Sequence, residues 1–175
     1  MADHTLDFDG AQFRKVIGGF ASGLTVVTAV TAGEPVGMTC QSFFSLSLDP
    51  PLIAFSPSLT SSSYPRIRES GAFCINILEA GQQDLCNQFA RSGADKWRGV
   101  RWEPGVTGSP RLEGVLASID CELENEFVTG DHYLTVGRVK SLHATPGLHP
   151  LLYFNGTYRH LHPHDQSVTQ QARSA

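Results

Sequence analysis

The chain has 175 residues, of which 41% are hydrophobic, and its formal net charge is −4 at pH 7. This length and apolar content are enough for one domain with a hydrophobic core and too small for two domains of ordinary size. The acidic balance, without clustered Lys or Arg, argues against a nucleic acid or an anionic membrane as a partner.

The sequence also argues against secretion, a membrane span and a metal site. No apolar run reaches the ~18 residues that a membrane span needs, and the first residues, MADHTLDFDG, are acidic where a secretion signal would be basic. The four cysteines lack the spacing of a zinc or redox motif: Cys40, Cys74, Cys86 and Cys121. We therefore expect a cytoplasmic protein with free thiols, and no metal bound by the histidines of HLHPH at 160–164.

The first predicted element is an amphipathic helix after an Asp9 cap, because Phe13, Val16, Ile17 and Phe20 recur at helical spacing. GLTVVTAVTAGEPVGMTC then predicts two strands around a Gly-Glu-Pro turn. This hairpin leads directly into the next strand.

The next segment, GMTCQSFFSLSLDPPLIAFSPS at 37–58, alternates with period two. The alternation separates two sets of side chains, with Phe44, Leu46 and Leu48 on one face and Phe43, Ser45 and Ser47 on the other. We expect one packed face and one face that receives something small and polar. The pair Pro50-Pro51 ends this strand, because proline cannot donate to a ladder, and an apolar strand follows at 52–55.

A serine-rich loop and a short helix follow, with Pro65 in the first turn of the helix and Gly71 as its stop. The pattern then predicts the strand AFCINIL, a helix over 79–90, a loop RSGADKWRGVRW, and strands at 115–124 and 133–141. Asn155-Gly156 predicts a hairpin turn. From about residue 162 the chain is polar and aperiodic, which is typical of a disordered tail. Short, regularly spaced strands favour an antiparallel barrel or sandwich in one domain over 1–161.

Common nucleotide and nucleophile motifs are absent from the sequence. GGFASGL at 18–24 has the spacing of a phosphate loop, but Leu24 stands where Lys is required, and Phe20 removes the middle glycine of a dinucleotide fingerprint. No serine has the G-x-S-x-G setting of a nucleophile elbow. Nothing near Cys40 in the sequence supplies a cation or helix N-terminus that would activate its thiol.

Several blocks in order resemble the flavin reductase-like family, the reductase components of two-component flavin-dependent monooxygenases. They are PVGMTCQSFFSLSLDPPLIAFSPS, FCINIL, FARSGADKW, GSPRLEGVLASIDCE and GDHYLTVGRV, and the resemblance covers about 13–161. It implies a mainly β fold, the FMN-binding split β-barrel, which is antiparallel and Greek-key-like with a few peripheral helices. It also implies a homodimer.

The implied activity is that of an NADH-dependent flavin reductase, an oxidoreductase of EC 1.5.1 type. It reduces free FAD or FMN and releases the reduced flavin to a separate monooxygenase of aromatic hydroxylation or natural-product tailoring. Similarity to natural-product reductases favours FAD, and the lack of an Arg cluster for a 2′-phosphate favours NADH. Hydride transfer requires stacked rings more than an acid or a base.

The resemblance assigns site residues in three groups. The first would contact the flavin ring and ribityl chain: Thr39, Cys40, Gln41, Ser42, Ser45 and Ser47. The second would bind the flavin phosphate: Ser56, Ser58, Ser61, Ser62, Ser63, Phe89, Arg91 and Lys96. The third, with Tyr158 as a further cofactor contact, would hold the nicotinamide: Gly130, Asp131 and His132. In this last group His132 would position the pyridine ring and Asp131 would orient the imidazole.

The serine block departs from the family pattern, because many relatives carry Lys or Arg where Leu59 and Ser62 are neutral here. Arg91 and Lys96 are therefore the expected source of positive charge for the phosphate.

Each group also has a plain structural interpretation: a half-exposed strand, a serine-rich loop, a solvated Arg91 and Lys96, and a β-turn at 130–132. Two other functions stay open, a non-enzymatic flavin or haem binder on the same barrel and a flavin oxidase of pyridoxine-phosphate type.

Trp97 and Trp102 are candidates for the subunit contact or the groove rim.

Overall fold

The computed structural model describes residues 7–93 and 95–161, and this part of the chain is mainly β, as predicted. Its three helices are α1 (Gly10–Ile17), α2 (Tyr64–Ser70) and α3 (Gln83–Ala90). Its strands are β1 (Ser22–Gly23), β2 (Thr25–Thr31), β3 (Glu34–Cys40), β4 (Phe43–Leu48), β5 (Pro51–Phe55), β6 (Ala72–Ile77), β7 (Trp102–Pro104), β8 (Pro110–Leu112), β9 (Ala117–Thr129), β10 (His132–Ala144), β11 (Leu152–Phe154) and β12 (Thr157–Arg159).

Two sequence-based expectations concern residues that lie partly or wholly outside the part of the chain that the structure describes. The tail from residue 162, with two of the three HLHPH histidines, lies outside the described residues. Among the described residues, no helix combines the length and the apolar character that crossing a membrane requires.

Seven strands form one antiparallel sheet in the order β3-β2-β6-β9-β10-β5-β4. Its edge strands β3 and β4 are consecutive in the chain and are separated only by Gln41 and Ser42, so the sheet curls until its two edges approach. In the described chain no ladder joins these edges, and the barrel is split there. The expected split β-barrel is confirmed.

The sheet carries one hydrophobic cluster on each face. Val26 and Val27 are neighbours on β2, and because strand residues alternate, they point into different clusters. The barrel interior includes Phe55 and Phe73, whose rings meet edge to face with centroids 5.1 Å apart. The second cluster packs α3 against the outer face of the sheet through Phe89. The barrel wall near the split is therefore supported from both sides.

The hairpin β7–β8 follows the predicted loop RSGADKWRGVRW, and sequence patterning did not predict it. Asn76 on β6 is fully buried, and its side-chain carbonyl accepts the Leu112 N–H at 2.8 Å. Its side-chain amide donates to the carbonyls of Val26 at 3.1 Å and Pro110 at 3.3 Å. The hairpin is thus held by a residue distant in sequence, and strands of three residues give no periodicity of their own.

The helix α1 forms as predicted but is not packed as an amphipathic helix should be. The Asp9 carboxylate accepts the Gln12 N–H at 2.7 Å and caps the helix. None of the α1 residues is buried, and Val16 is 74% exposed. The apolar stripe is therefore open to solvent in a single copy of the chain.

The face of β4 that we expected to be packed is also open. Phe44 and Leu46 are each 46% exposed, and Leu48 is 90% exposed. Alternation was correct in separating two faces, but it does not say which face another element covers. Here β4 is the last strand of the sheet, and the described residues leave one side of its apolar row uncovered.

Candidate active site

The predicted ring contacts lie at the end of β3 and the start of β4, where hydroxyl groups bond to the backbone of neighbouring segments. The Thr39 hydroxyl donates to the Cys86 carbonyl at 2.6 Å. The Ser42 hydroxyl donates to the Ser56 carbonyl at 2.8 Å and accepts the Ser56 N–H at 3.0 Å. Cys40 is buried 3.3 Å from Ser42 Oγ, and burial raises the pKa of its thiol. These side chains shape the edge, and Cys40 is a neutral thiol.

The polar side chains that the edge leaves open are Gln41 and Ser45, both exposed. Ser47 is half-buried further along β4. Because β4 is an edge strand, its outward backbone N–H groups are also available. Small side chains and backbone donors suit a flat ligand with acceptors on its rim.

The serine segment and the Gly-Asp-His turn, which we predicted as separate binding regions, adjoin each other. Ser58 pairs with His132 in an isolated β-bridge. The Ser56 hydroxyl donates to the Tyr133 carbonyl at 2.7 Å. These contacts join the serine segment and the Gly-Asp-His turn into one wall of the site. The Ser42–Ser56 hydrogen bond continues this wall to the split edge. The structure therefore brings together members of all three predicted groups.

His132 lies at the start of β10, next to a turn that requires glycine. Gly130 has φ of 61°, in the left-handed region that favours glycine. His132 Nδ1 is 2.7 Å from Asp131 Oδ1, and this hydrogen bond, with the histidine's charge, lowers the pKa of Asp131. The His132 side chain is 43% exposed, so the oriented imidazole still presents a surface to a ligand.

An open pocket of about 250 Å³ lies beside the beginning of β3, and Ser62, Ser63, Arg66 and Lys96 are among its lining residues. Lys96 Nζ donates to Ser63 Oγ at 3.1 Å and to the Gly37 carbonyl at 3.2 Å. Among the described residues, neither cation forms an ion pair with a carboxylate. Burial lowers the pKa of Lys96, since desolvation disfavours its charged form. This pocket is suited to an anion.

A partly buried hydrogen-bond network fixes the serine segment relative to the β9–β10 hairpin that carries His132. The hydroxyl of Tyr64, the first residue of α2, bonds to the Glu126 carboxylate and lies 2.6 Å from Thr135 Oγ1. Arg68 Nη1 is 3.2 Å from Glu126 Oε1. Burial and the Glu126 carboxylate raise the pKa of Tyr64, which stays a neutral donor. Sequence reasoning missed this network because its members are far apart in the chain.

Three predicted site residues lie away from the Lys96 pocket. Phe89 is fully buried beneath β3, where a Cβ on Gly37 would lie 2.6 Å from its ring, so its role is packing. Arg91 is exposed beside a different pocket of about 440 Å³. The Tyr158 hydroxyl donates to Asn87 Oδ1 at 2.7 Å. None of these three lines the cavity that contains Lys96.

The remaining serines have local partners. The Ser58 and Thr60 hydroxyls are 2.8 Å apart, and Ser61 Oγ accepts the Tyr64 N–H at 3.2 Å. These bonds order the segment and leave Ser62 and Ser63 on the pocket. Within the described residues, no cluster of three or more His, Cys, Asp or Glu is placed to hold a metal ion.

Known proteins of one kind match both the sequence and this fold. The flavin reductase like domain family matches residues 17–162. HsaB, the reductase subunit of a flavin-dependent monooxygenase from Rhodococcus jostii (strain RHA1), is 44% identical over 160 residues, which are 91% of this chain and 82% of that protein.

Two solved structures are similar across most of the chain. Nitrilotriacetate monooxygenase component B from Mycobacterium thermoresistibile is 42% identical with a TM-score of 0.85, covering 88% of this chain and 87% of that one. The Streptomyces globisporus C-1027 NADH:FAD oxidoreductase SgcE6, in complex with NAD and FAD fragments, is 33% identical with a TM-score of 0.85, covering 93% and 98%. With the split barrel described above, these matches show that the chain belongs to the flavin reductase-like domain family.

Proposed function

We propose that this chain reduces a free flavin, FAD or FMN, with NADH and releases the reduced flavin to a separate monooxygenase. The observation that carries the proposal is the combination of an open, small-residue edge at one end of β3 and a cationic pocket at the other. HsaB is a monooxygenase reductase subunit, which supports a separate oxygenase partner. SgcE6 is an NADH:FAD oxidoreductase, which supports NADH as the reductant.

The spacing along β3 fits a flavin. Lys96 contacts the carbonyl of Gly37, and the split edge starts at Cys40, three residues further along the strand. At a rise of about 3.3 Å per residue these points are about 10 Å apart. A ribityl chain that ends in a phosphate has a comparable length. A flavin whose ring lies at the split edge therefore places its phosphate beside Lys96. The ammonium and the Ser63 hydroxyl then supply charge-assisted hydrogen bonds.

The chain contributes placement rather than acid–base chemistry. The bound flavin accepts a hydride when its ring is stacked on the nicotinamide. We propose that His132, oriented by Asp131, holds the nicotinamide on the wall that it shares with Ser58. The Tyr64 network keeps that wall in a fixed position, and positional order of this kind is what a hydride transfer needs.

A purified sample tests this function directly. We expect a colourless protein that consumes NADH only when riboflavin, FMN or FAD is added. A yellow protein that keeps its flavin and consumes no NADH would instead indicate a flavin-binding module. Oxygen consumption by a tightly bound flavin, with pyridoxine 5′-phosphate as the electron donor and without NADH, would indicate an oxidase of pyridoxine-phosphate type.

The sheet and the free cysteines support one domain and a reducing compartment. The seven-stranded sheet draws its strands from β2 to β10 and carries a hydrophobic cluster on each face, and we propose a single domain over 1–161. The four cysteines are free and buried. Free thiols are usual where glutathione keeps proteins reduced, which supports the cytoplasm as the proposed location.

We also propose that the chain is a homodimer whose second copy covers the apolar row of β4. Phe44, Leu46 and Leu48 form an exposed apolar edge strand, and such edges are commonly covered in native proteins. The row borders the split, so a second copy there would wall the open side of the flavin groove. Trp97 packs against Phe89, with ring centroids 5.1 Å apart, which favours a core role for it over a subunit contact.

Replacing His132 with Ala is expected to lower kcat/KM for NADH about tenfold, equivalent to about 1.4 kcal/mol. The loss follows from removing the side chain that aligns the nicotinamide, so the KM for flavin should change little. Steady-state kinetics with NADH varied at saturating FMN measure the effect.

His143→Ala is the matched control, because His143 is an exposed histidine at the far end of the same strand. We expect it to behave as wild type. If His132→Ala keeps normal NADH kinetics but melts at a lower temperature, His132 is a structural turn residue and the assignment is wrong.

A further inference from the structure

The pocket beside β3 contains two cations at different depths. Lys96 is half-buried and bonded to Ser63, whereas Arg66 is exposed on the same pocket. Arg66 lies three positions after Ser63, and α2, which starts at Tyr64, places residues with this spacing on one side of the chain. Arg66 is not among the residues predicted from the sequence, because the resemblance placed the positive charge for the flavin phosphate in the block from 89 to 97.

The pocket has an excess of positive charge. Its lining includes one carboxylate, that of Asp95, which already accepts the Trp97 N–H at 3.2 Å and lies 4.0 Å from Arg98 Nε. Lys96 and Arg66 have no carboxylate partner among the described residues. Two like charges on one small pocket repel each other, and an anion that lies close to both relieves this repulsion.

We propose that Lys96 and Arg66 bind a diphosphate, with Lys96 holding the phosphate nearer β3 and Arg66 the outer one, so that the chain prefers FAD to FMN. This inference rests on the proposed function. The planar guanidinium presents paired donors that match phosphate oxygens. An adenylate attached beyond Arg66 lies on the exposed side of the pocket and needs no deep cavity.

The nicotinamide dinucleotide also contains a diphosphate, so the chemistry alone fits two molecules. The position favours the flavin, because the pocket adjoins Gly37 on β3 through Lys96, and β3 leads to the split edge. His132, the proposed nicotinamide contact, is linked instead to Ser58 and is not among the residues that line this pocket.

Arg66→Gln tests the proposal through binding and turnover. We expect the Kd for oxidised FAD, from titration calorimetry, and the KM for FAD to rise about fivefold to tenfold. The corresponding values for FMN and riboflavin should change less than twofold. Arg14→Gln is the matched control, since Arg14 is an exposed arginine on α1, and it should leave all three flavins unaffected.

Each other outcome overturns the inference in a recognisable way. Equal losses for FAD and FMN mean that one phosphate bridges both cations, and a raised KM for NADH alone means that the dinucleotide diphosphate lies there. No change with any ligand means that Arg66 contacts no phosphate. In these cases wild-type reduction of riboflavin by NADH leaves the proposed function intact. If the wild-type chain reduces no flavin, the proposed function itself fails.

Discussion

Replacing Lys96 with Met is expected to raise the KM for FMN about 10- to 150-fold and to leave the KM for riboflavin nearly unchanged. The range corresponds to losing about 1.5–3 kcal/mol, typical of hydrogen bonds to a charged group. Riboflavin has the same ring and ribityl chain without the phosphate. The difference between the two flavins therefore isolates the phosphate contact.

The physical reason lies in how Lys96 is held. Its ammonium is half-buried, donates to Ser63 and Gly37, and has no carboxylate partner among the described residues. An anion bound there is attracted by a charge that solvent screens only partly. Methionine keeps the unbranched apolar stem, so the fold should tolerate the change and the loss should be confined to charge.

Arg91→Met serves as the comparison, since Arg91 is the other cation that the sequence suggested and lines a different pocket. We expect it to change the KM for FMN less than twofold. If Arg91→Met gives the large effect and Lys96→Met does not, the phosphate lies at the second pocket and our placement is wrong. An equal loss for FMN and riboflavin in Lys96→Met would show general damage to the site.

The parts of the fold that sequence predicted well are those specified by neighbouring residues. Asp9 caps α1, Gly71 ends α2 in the left-handed conformation, and Asn155-Gly156 makes the turn between β11 and β12. Each of these depends on a side chain or backbone preference within a few residues. No tertiary contact has to be known for such elements to be placed.

The elements that sequence missed depend on distant residues. The hairpin β7–β8 is fixed by Asn76, 36 positions before Leu112, and Tyr64 meets Glu126 62 positions away. Neither pairing leaves a local pattern. Phe89 shows the converse, because its sequence block resembles a phosphate site while packing against Gly37 places it in the core.

The candidate site was predicted in the same uneven way. The segments that the resemblance named lie close together in the fold, since Ser58 and His132 are bridged and Lys96 contacts Ser63. The resemblance did not show that the Thr39 and Ser42 hydroxyls already have backbone partners. Roles for individual hydroxyls follow only from knowing which hydrogen bonds the fold has already formed.

Replacing Leu46 with Asp is expected to weaken self-association by at least about 100-fold in Kd, because a carboxylate in an apolar interface loses several kcal/mol of hydration. Leu46 is 46% exposed in a single copy, on the edge strand that we propose a second copy covers. Light scattering at micromolar concentration should show a dimer for wild type and a monomer for the variant.

Flavin reduction should fall with assembly, since the second copy walls the groove beside the split. Val106→Asp is the matched control, because Val106 is 72% exposed between β7 and β8, away from the β4 row, and it should stay dimeric and active. If Leu46→Asp remains a dimer, the interface lies on another surface, with the exposed stripe of α1 next to test. A wild-type chain that is monomeric and fully active at the same dilution would refute the dimer itself.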